Sequence, residues 1–135
     1  MATKDDELLQ ALNELLRHHS LEIGRAIVAH RQWKERLVEA VRTGHWEGSA
    51  AEAERDDRCE LGVWLQHASP ETRVEPSWKH VRDMHDSFHR EAAEIVTLIH
   101  QGSLHEARMA LEPDAPFEVA SRLLVEMLEA WRQNA

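Results

Sequence analysis

The sequence predicts an all-α fold, an antiparallel four-helix-type bundle with one or two additional short helices. Two long stretches carry apolar residues at alternating spacings of three and four, the period that lines one face of a helix. Strong breaks fall between stretches, at Thr43-Gly44, Ser69-Pro70, Gly102 and Pro113-Asp114-Ala115-Pro116. No run alternates apolar and polar residues as a half-buried strand does, and no internal repeat or low-complexity tract stands out.

The first helix is expected from about Asp5 to Arg42. Its stripe is Leu9, Leu12, Leu16, His19, Ile23, Ala26, His30, Trp33, Leu37 and Ala40, a heptad-like seam suited to nearly antiparallel packing. Gly24 weakens this helix and marks a bend or a close packing contact. Thr43-Gly44 ends it, and His45 to Glu54 reads as loop. A short second helix should begin near Asp57, with Asp57 as N-cap and Glu60 three residues on resembling a capping box. Leu61, Trp64, Leu65 and Ala68 form its buried face, and Ser69-Pro70 closes it. The third helix, about Pro76 to Gln101, presents Trp78, Val81, His85, Phe88, Ala92, Ile95 and Ile99. Leu104 to Leu111 makes two turns. A final helix starts at Pro116, a residue suited to the first helical turn, and buries Phe117, Ala120, Leu124, Met127 and Trp131.

A chain of 135 residues is most simply one domain over 1–135, large enough to bury a core without disulfides. The acidic start lacks the features of a secretory signal, and the apolar runs are far too short to span a membrane. With a single cysteine, these features place the chain in a reducing cytoplasm. A net charge of −9, with basic residues scattered among more numerous carboxylates, argues against a nucleic-acid partner.

Chemistry concentrates in one cysteine and a few of the ten histidines. His85 and His89 lie one helical turn apart and point the same way. Chance alone gives about 0.7 such pairs in a chain this rich in histidine, so spacing by itself decides little. Phase says more. His85 interrupts an otherwise apolar stripe, and His30 interrupts the stripe of the first helix. A buried imidazole without partners costs roughly 1–3 kcal/mol, and one shared metal accounts for both more simply than two separate accidents. His19 also lies on that stripe, so phase does not single out His30. Read alone, Cys59 is most simply a small buried hydrophobe. In the first turn of a helix capped by Asp57, with Arg58 beside it, its thiolate form is favoured, and thiolate is what binds zinc and what oxidants attack. Gly62 is unfavourable in a helix by about 1 kcal/mol relative to alanine and is justified by a close backbone approach at the site. Trp33 and Trp64 read as core that walls the site from water. His18, His45, His67, His80, His100 and His105 lie off the stripes or near breaks and read as solvated.

These segments resemble a known family. Ala29-His30-Arg31-Gln32-Trp33-Lys34-Glu35-Arg36-Leu37, Asp57-Arg58-Cys59-Glu60-Leu61-Gly62-Val63-Trp64-Leu65, His85-Asp86-Ser87-Phe88-His89 and Pro116-Phe117-Glu118-Val119-Ala120-Ser121 look like the chemoreceptor zinc-binding (CZB) domain, in order and in spacing. The resemblance covers about residues 20–132. It implies Zn2+ held by His30, Cys59, His85 and His89 in a helical bundle, usually homodimeric, with Asp57 orienting a ligand from behind. It implies a cytoplasmic bacterial sensory module, of the kind found in chemoreceptors and diguanylate cyclases. Such modules respond to zinc availability or to oxidants such as hypochlorous acid through the zinc-bound cysteine. No methyl-accepting coiled coil or cyclase accompanies the motifs, so the expectation is a stand-alone member whose signalling partner is undefined.

The expected function is therefore a zinc-binding sensor with Cys59 as redox switch, and not an enzyme. The alternative is an interaction bundle stapled by zinc without switching. An enzyme would need an open metal position and a general base, or two Glu-x-x-His motifs for a di-iron centre, and only Asp86-x-x-His89 comes near.

Overall fold

The computed structural model describes residues 3–55 and 59–133, and within them every side chain except those of residues 15–18. Among the described residues there are seven helices and no strand. They are α1 (Lys4–Thr43), α2 (Ala50–Glu54), α3 (Glu60–Gln66), α4 (Pro70–Arg73), α5 (Pro76–His100), α6 (Leu104–Met109) and α7 (Pro116–Gln133).

The long helices begin and end where their punctuation dictates. Thr3 caps α1 through a reciprocal capping box with Asp6, and Asp5, Asp6 and Glu7 place negative charge at the positive end of the helix dipole. Gly44 closes α1 in the left-handed conformation at φ 76°, which glycine adopts without strain. Pro76 opens α5, and Gly102, also at φ 76°, follows its end. Two short helices were not expected. Ser49 caps α2 inside the stretch read as loop, and five residues are too few to display a helical period. Ser69-Pro70, read as a stop, also starts α4, with Ser69 as N-cap and Pro70 in the first turn.

Side-chain pairings fix how the long helices run. On α1, His19 meets Trp131, His30 meets Ser121 and Lys34 meets Glu118, so α7 runs antiparallel to α1. Glu75, at the start of α5, meets Trp131, and Phe88 stacks on Phe117 at 5.0 Å, so α7 is antiparallel to α5 as well. The first and third of the long sequence stripes therefore lie parallel, with His30 against Phe88 and Trp46 near His100. The core between them holds Ile23, Leu37, Val81, Phe88, Phe117 and Leu124, all essentially inaccessible. Among the described residues three long helices, rather than four, surround that core. The short α2 packs on α5, and α3 packs on α1 and α5.

The first stripe departs from its expected burial at one end. Leu9 and Leu12 are exposed, as is Leu8, while Leu16 lies outside the described side chains. Their helix extends past the end of α7, and nothing among the described residues covers them.

Candidate metal centre

The site forms where α1, α3 and α5 meet. Cys59 is the N-cap of α3: its backbone is extended, its carbonyl accepts from Val63 N at 2.9 Å, and its Sγ accepts from Gly62 N at 3.3 Å. This corrects the expectation that Asp57 caps the helix and that Cys59 sits in the first turn. The residue whose carbonyl takes the first helical hydrogen bond is the cap, and that residue is Cys59. Asp57 itself, and with it the suggested ligand-orienting role, lies outside the described residues.

His85 and His89 project from one face of α5, each 2% exposed, with ring centroids 4.6 Å apart. Cys59 Sγ lies 2.9 Å from His85 Nε2. His89 directs Nδ1 at the carbonyl of Ala53 at 2.9 Å, which fixes the tautomer and leaves Nε2 as its ligand atom. The ligand atoms of Cys59, His85 and His89 all lie within 4.8 Å of one another. The structure thus brings together three of the four predicted metal residues.

His30 lines the same cavity, of about 320 Å³, but stands outside that tight cluster. Its ring packs on Phe88 at 4.4 Å, and its Nε2 is 3.0 Å from the hydroxyl of Ser121. His19, the competing histidine on the same stripe, is far from the site. It sits edge-on between Trp64 and Trp131, both at 5.4 Å, where its buried Nε2 has no hydrogen-bond partner among the described residues. Trp33 walls the centre as expected, 5.0 Å from the His89 ring. Trp64 does not, since it belongs to the His19–Trp131 cluster and donates its indole N–H to Glu22. Gly62 is buried beside His85 and supplies the amide that faces Sγ. The histidines read as solvated, His45, His67, His80, His100 and His105, are exposed, and the His18 side chain lies outside the description.

Electrostatics suit a metal. Burial pushes the His85 pKa down to about 3, helped by the neighbouring His89 and His30. Burial likewise lowers His30 to about 4, helped by Lys34, His89 and Arg31. Both imidazoles are therefore neutral near pH 7 and keep a lone pair to give. The amide of Gly62 aimed at Sγ favours thiolate over thiol. One soft sulfur and neutral imidazoles, buried and converging, are the donor set that zinc prefers over harder oxygen-seeking cations. The residues present fit that ion.

Two groups at the centre escape sequence reasoning, the Ala53 carbonyl and Ser121. A backbone carbonyl leaves no trace in residue identity. Ser121 does leave one: it is a hydroxyl, 3% exposed, on the apolar face that Phe117, Leu124, Leu128 and Trp131 give α7.

Among the described residues no helix is long and apolar enough to cross a membrane. No curated protein and no solved structure gives a significant match to the chain. A family model does, over residues 30–96, a segment that opens on His30 and contains Cys59, His85 and His89. This is narrower than the resemblance read from the sequence, and it leaves α7 outside. Through residues 30–96 the chain belongs to the family of the chemoreceptor zinc-binding domain, and zinc is its metal.

Proposed function

We propose that the chain is a cytoplasmic zinc-binding sensor in which Cys59 is both metal ligand and redox switch, acting as a homodimer on a signalling partner. His30, Cys59, His85 and His89 would hold the ion, His30 through Nδ1 because Nε2 faces Ser121. Completing the set asks His30 to draw closer to the other three. Bound zinc supplies positive charge that keeps the sulfur as thiolate. A full set of protein ligands leaves no position for substrate, so the role is regulatory and not enzymatic.

One observation carries the switch. The sulfur that faces His85 is the same atom that caps α3, accepting the Gly62 amide. Hypochlorous acid converts a thiolate to sulfenic acid and chloride, the oxygen passing to sulfur as chloride leaves. Sulfenic sulfur is a poorer ligand and a poorer cap, so one oxidation weakens both anchors of α3 together. Cys59 is half-buried and lines the cavity, which gives a small oxidant access. That access favours a switch over a zinc staple without switching, in which the thiol would be sealed.

The test is metal analysis of the purified protein before and after hypochlorous acid. The parent should carry about one zinc per chain and lose most of it on oxidation. Cys59→Ser should bind zinc weakly and show no oxidant-dependent release. Oxidant-driven release that persists in the serine variant defeats the thiol-switch reading, and absence of zinc from the parent defeats the metal assignment.

A further inference from the structure

Ser121 lies outside the segment that matches the family, on a different helix from every proposed ligand. Its hydroxyl is nevertheless buried in the apolar face of α7, where an unpaired polar group costs free energy. It meets His30 Nε2 at 3.0 Å. One turn further along α1, Lys34 Nζ meets Glu118 Oε2 at 2.8 Å, with both side chains partly buried. The two pairs join α1 to α7 in a single register, which keeps Ser121 opposite the His30 ring.

A neutral imidazole has one N–H and one lone pair. If Nε2 carries the hydrogen and gives it to the Ser121 oxygen, Nδ1 must carry the lone pair. We propose that Ser121 is a positioning residue for the metal centre: its hydroxyl accepts the Nε2–H of His30, holding the ring in the tautomer and orientation that offer Nδ1 to zinc. It does for His30 what the Ala53 carbonyl does for His89 at 2.9 Å. The pairing also makes α7 part of the centre's support although it supplies no ligand, so the metal ties α7 to α1, α3 and α5. This inference rests on the assignment of His30 as a ligand.

Loss of a hydrogen bond behind a metal-bound histidine commonly weakens metal binding about 10–100-fold. Zinc affinity is read by competition with a chromogenic chelator, in the full chain, for the parent, Ser121→Ala, His30→Ala and the double variant. Ser121→Ala should weaken zinc binding by about tenfold or more in the parent and have no further effect once His30 is alanine. An isosteric pair removes packing from the question: Ser121→Thr and Ser121→Val differ in a hydroxyl at nearly constant shape, and the threonine form should bind zinc about tenfold tighter than the valine form. Cobalt substitution adds a spectroscopic reading, since the threonine form should keep the parent's visible bands while the valine form departs from them.

Several outcomes overturn the proposal. Affinity unchanged in Ser121→Ala, or equal for threonine and valine, means the hydroxyl does not position the ring. The same loss with and without His30 means a general packing effect. Tighter binding in Ser121→Ala means the hydroxyl competes with the metal for His30. Unchanged affinity in His30→Ala is a different failure, because it removes His30 from the ligand set and leaves the Cys59–His85–His89 cluster standing.

Discussion

At the scale of the residue, the centre depends on imidazoles kept neutral by burial, and that has a thermodynamic consequence. In the unfolded chain His30 and His85 take up protons near 6.5, the ordinary value for histidine, whereas in the folded protein they do so only near 4 and 3. Between those values the unfolded state binds more protons, so stability falls as pH falls. The contribution is fully present above about pH 6.5 and is lost on descent toward the folded values. For the zinc-free protein the two histidines together should cost about 4 kcal/mol between pH 7.5 and pH 5. Urea midpoints at the two pH values measure this. His85→Leu should flatten the dependence. A midpoint that does not move with pH in the zinc-free parent would show that these rings are not held neutral by the fold.

At the scale of the element, α3 is the part that the metal most needs to hold. Seven residues do not sustain a helix in water. Leu61 and Leu65 anchor one face in the core, Trp78 donates its indole N–H to the Leu65 carbonyl, and Cys59 closes the N-terminus. The exposed Arg25–Glu60 pair adds little. Cap and ligand are separable by substitution. In zinc-free protein Cys59→Ser keeps an N-cap acceptor and should leave stability nearly unchanged, whereas Cys59→Ala should cost about 1 kcal/mol. With zinc present both variants lose the thiolate ligand. Chemical denaturation with and without chelator reads the two roles separately, and equal stability of the alanine and serine forms without zinc would remove the capping role. The same element marks the limit of what the sequence discloses. The long helices follow from stripes interrupted by Gly44, Gly102 and two prolines; His30 and His85 are conspicuous as polar residues at core phase, His89 by its place one turn from His85, and Cys59 by its place at the start of a short helix. The cap of α3 was misplaced because Asp57 is the better capping residue by type, and only the hydrogen bond to the Cys59 carbonyl decides the register. The helices α2 and α4 are too short to show a period. The contacts His30–Ser121 and His89–Ala53 join residues 91 and 36 positions apart, and no local pattern encodes such pairings.

At the scale of the whole molecule, α1 outruns its neighbours. Its 40 residues span about 60 Å at the α-helical rise, against 25 residues in α5 and 18 in α7. Among the described side chains, the last layer that closes over it is His19 with Trp64 and Trp131, near the C-terminal end of α7. Before that layer Leu8, Leu9 and Leu12 are 67%, 59% and 52% exposed, three leucines within five positions of one another. A projecting helix of that length is marginal in water on its own, and apolar side chains at such spacing are what a second helix covers. A second copy of this chain presents the same surface and, in the proposed two-fold arrangement, would cover it reciprocally. The proposed homodimer is therefore expected to form through the N-terminal third of α1. Leu9→Lys with Leu12→Lys should convert the dimer to monomer in light scattering after size exclusion, because paired lysines place like charges in the contact. Since both positions are solvent-exposed within one chain, the substituted monomer should keep its zinc and its helical content. A parent that is monomeric throughout the micromolar range, or a double-lysine variant that stays dimeric, places the contact elsewhere or denies it. If the variant is monomeric but still releases zinc on oxidation, sensing belongs to the single chain, and the dimer serves only to pass the change in α3 onward.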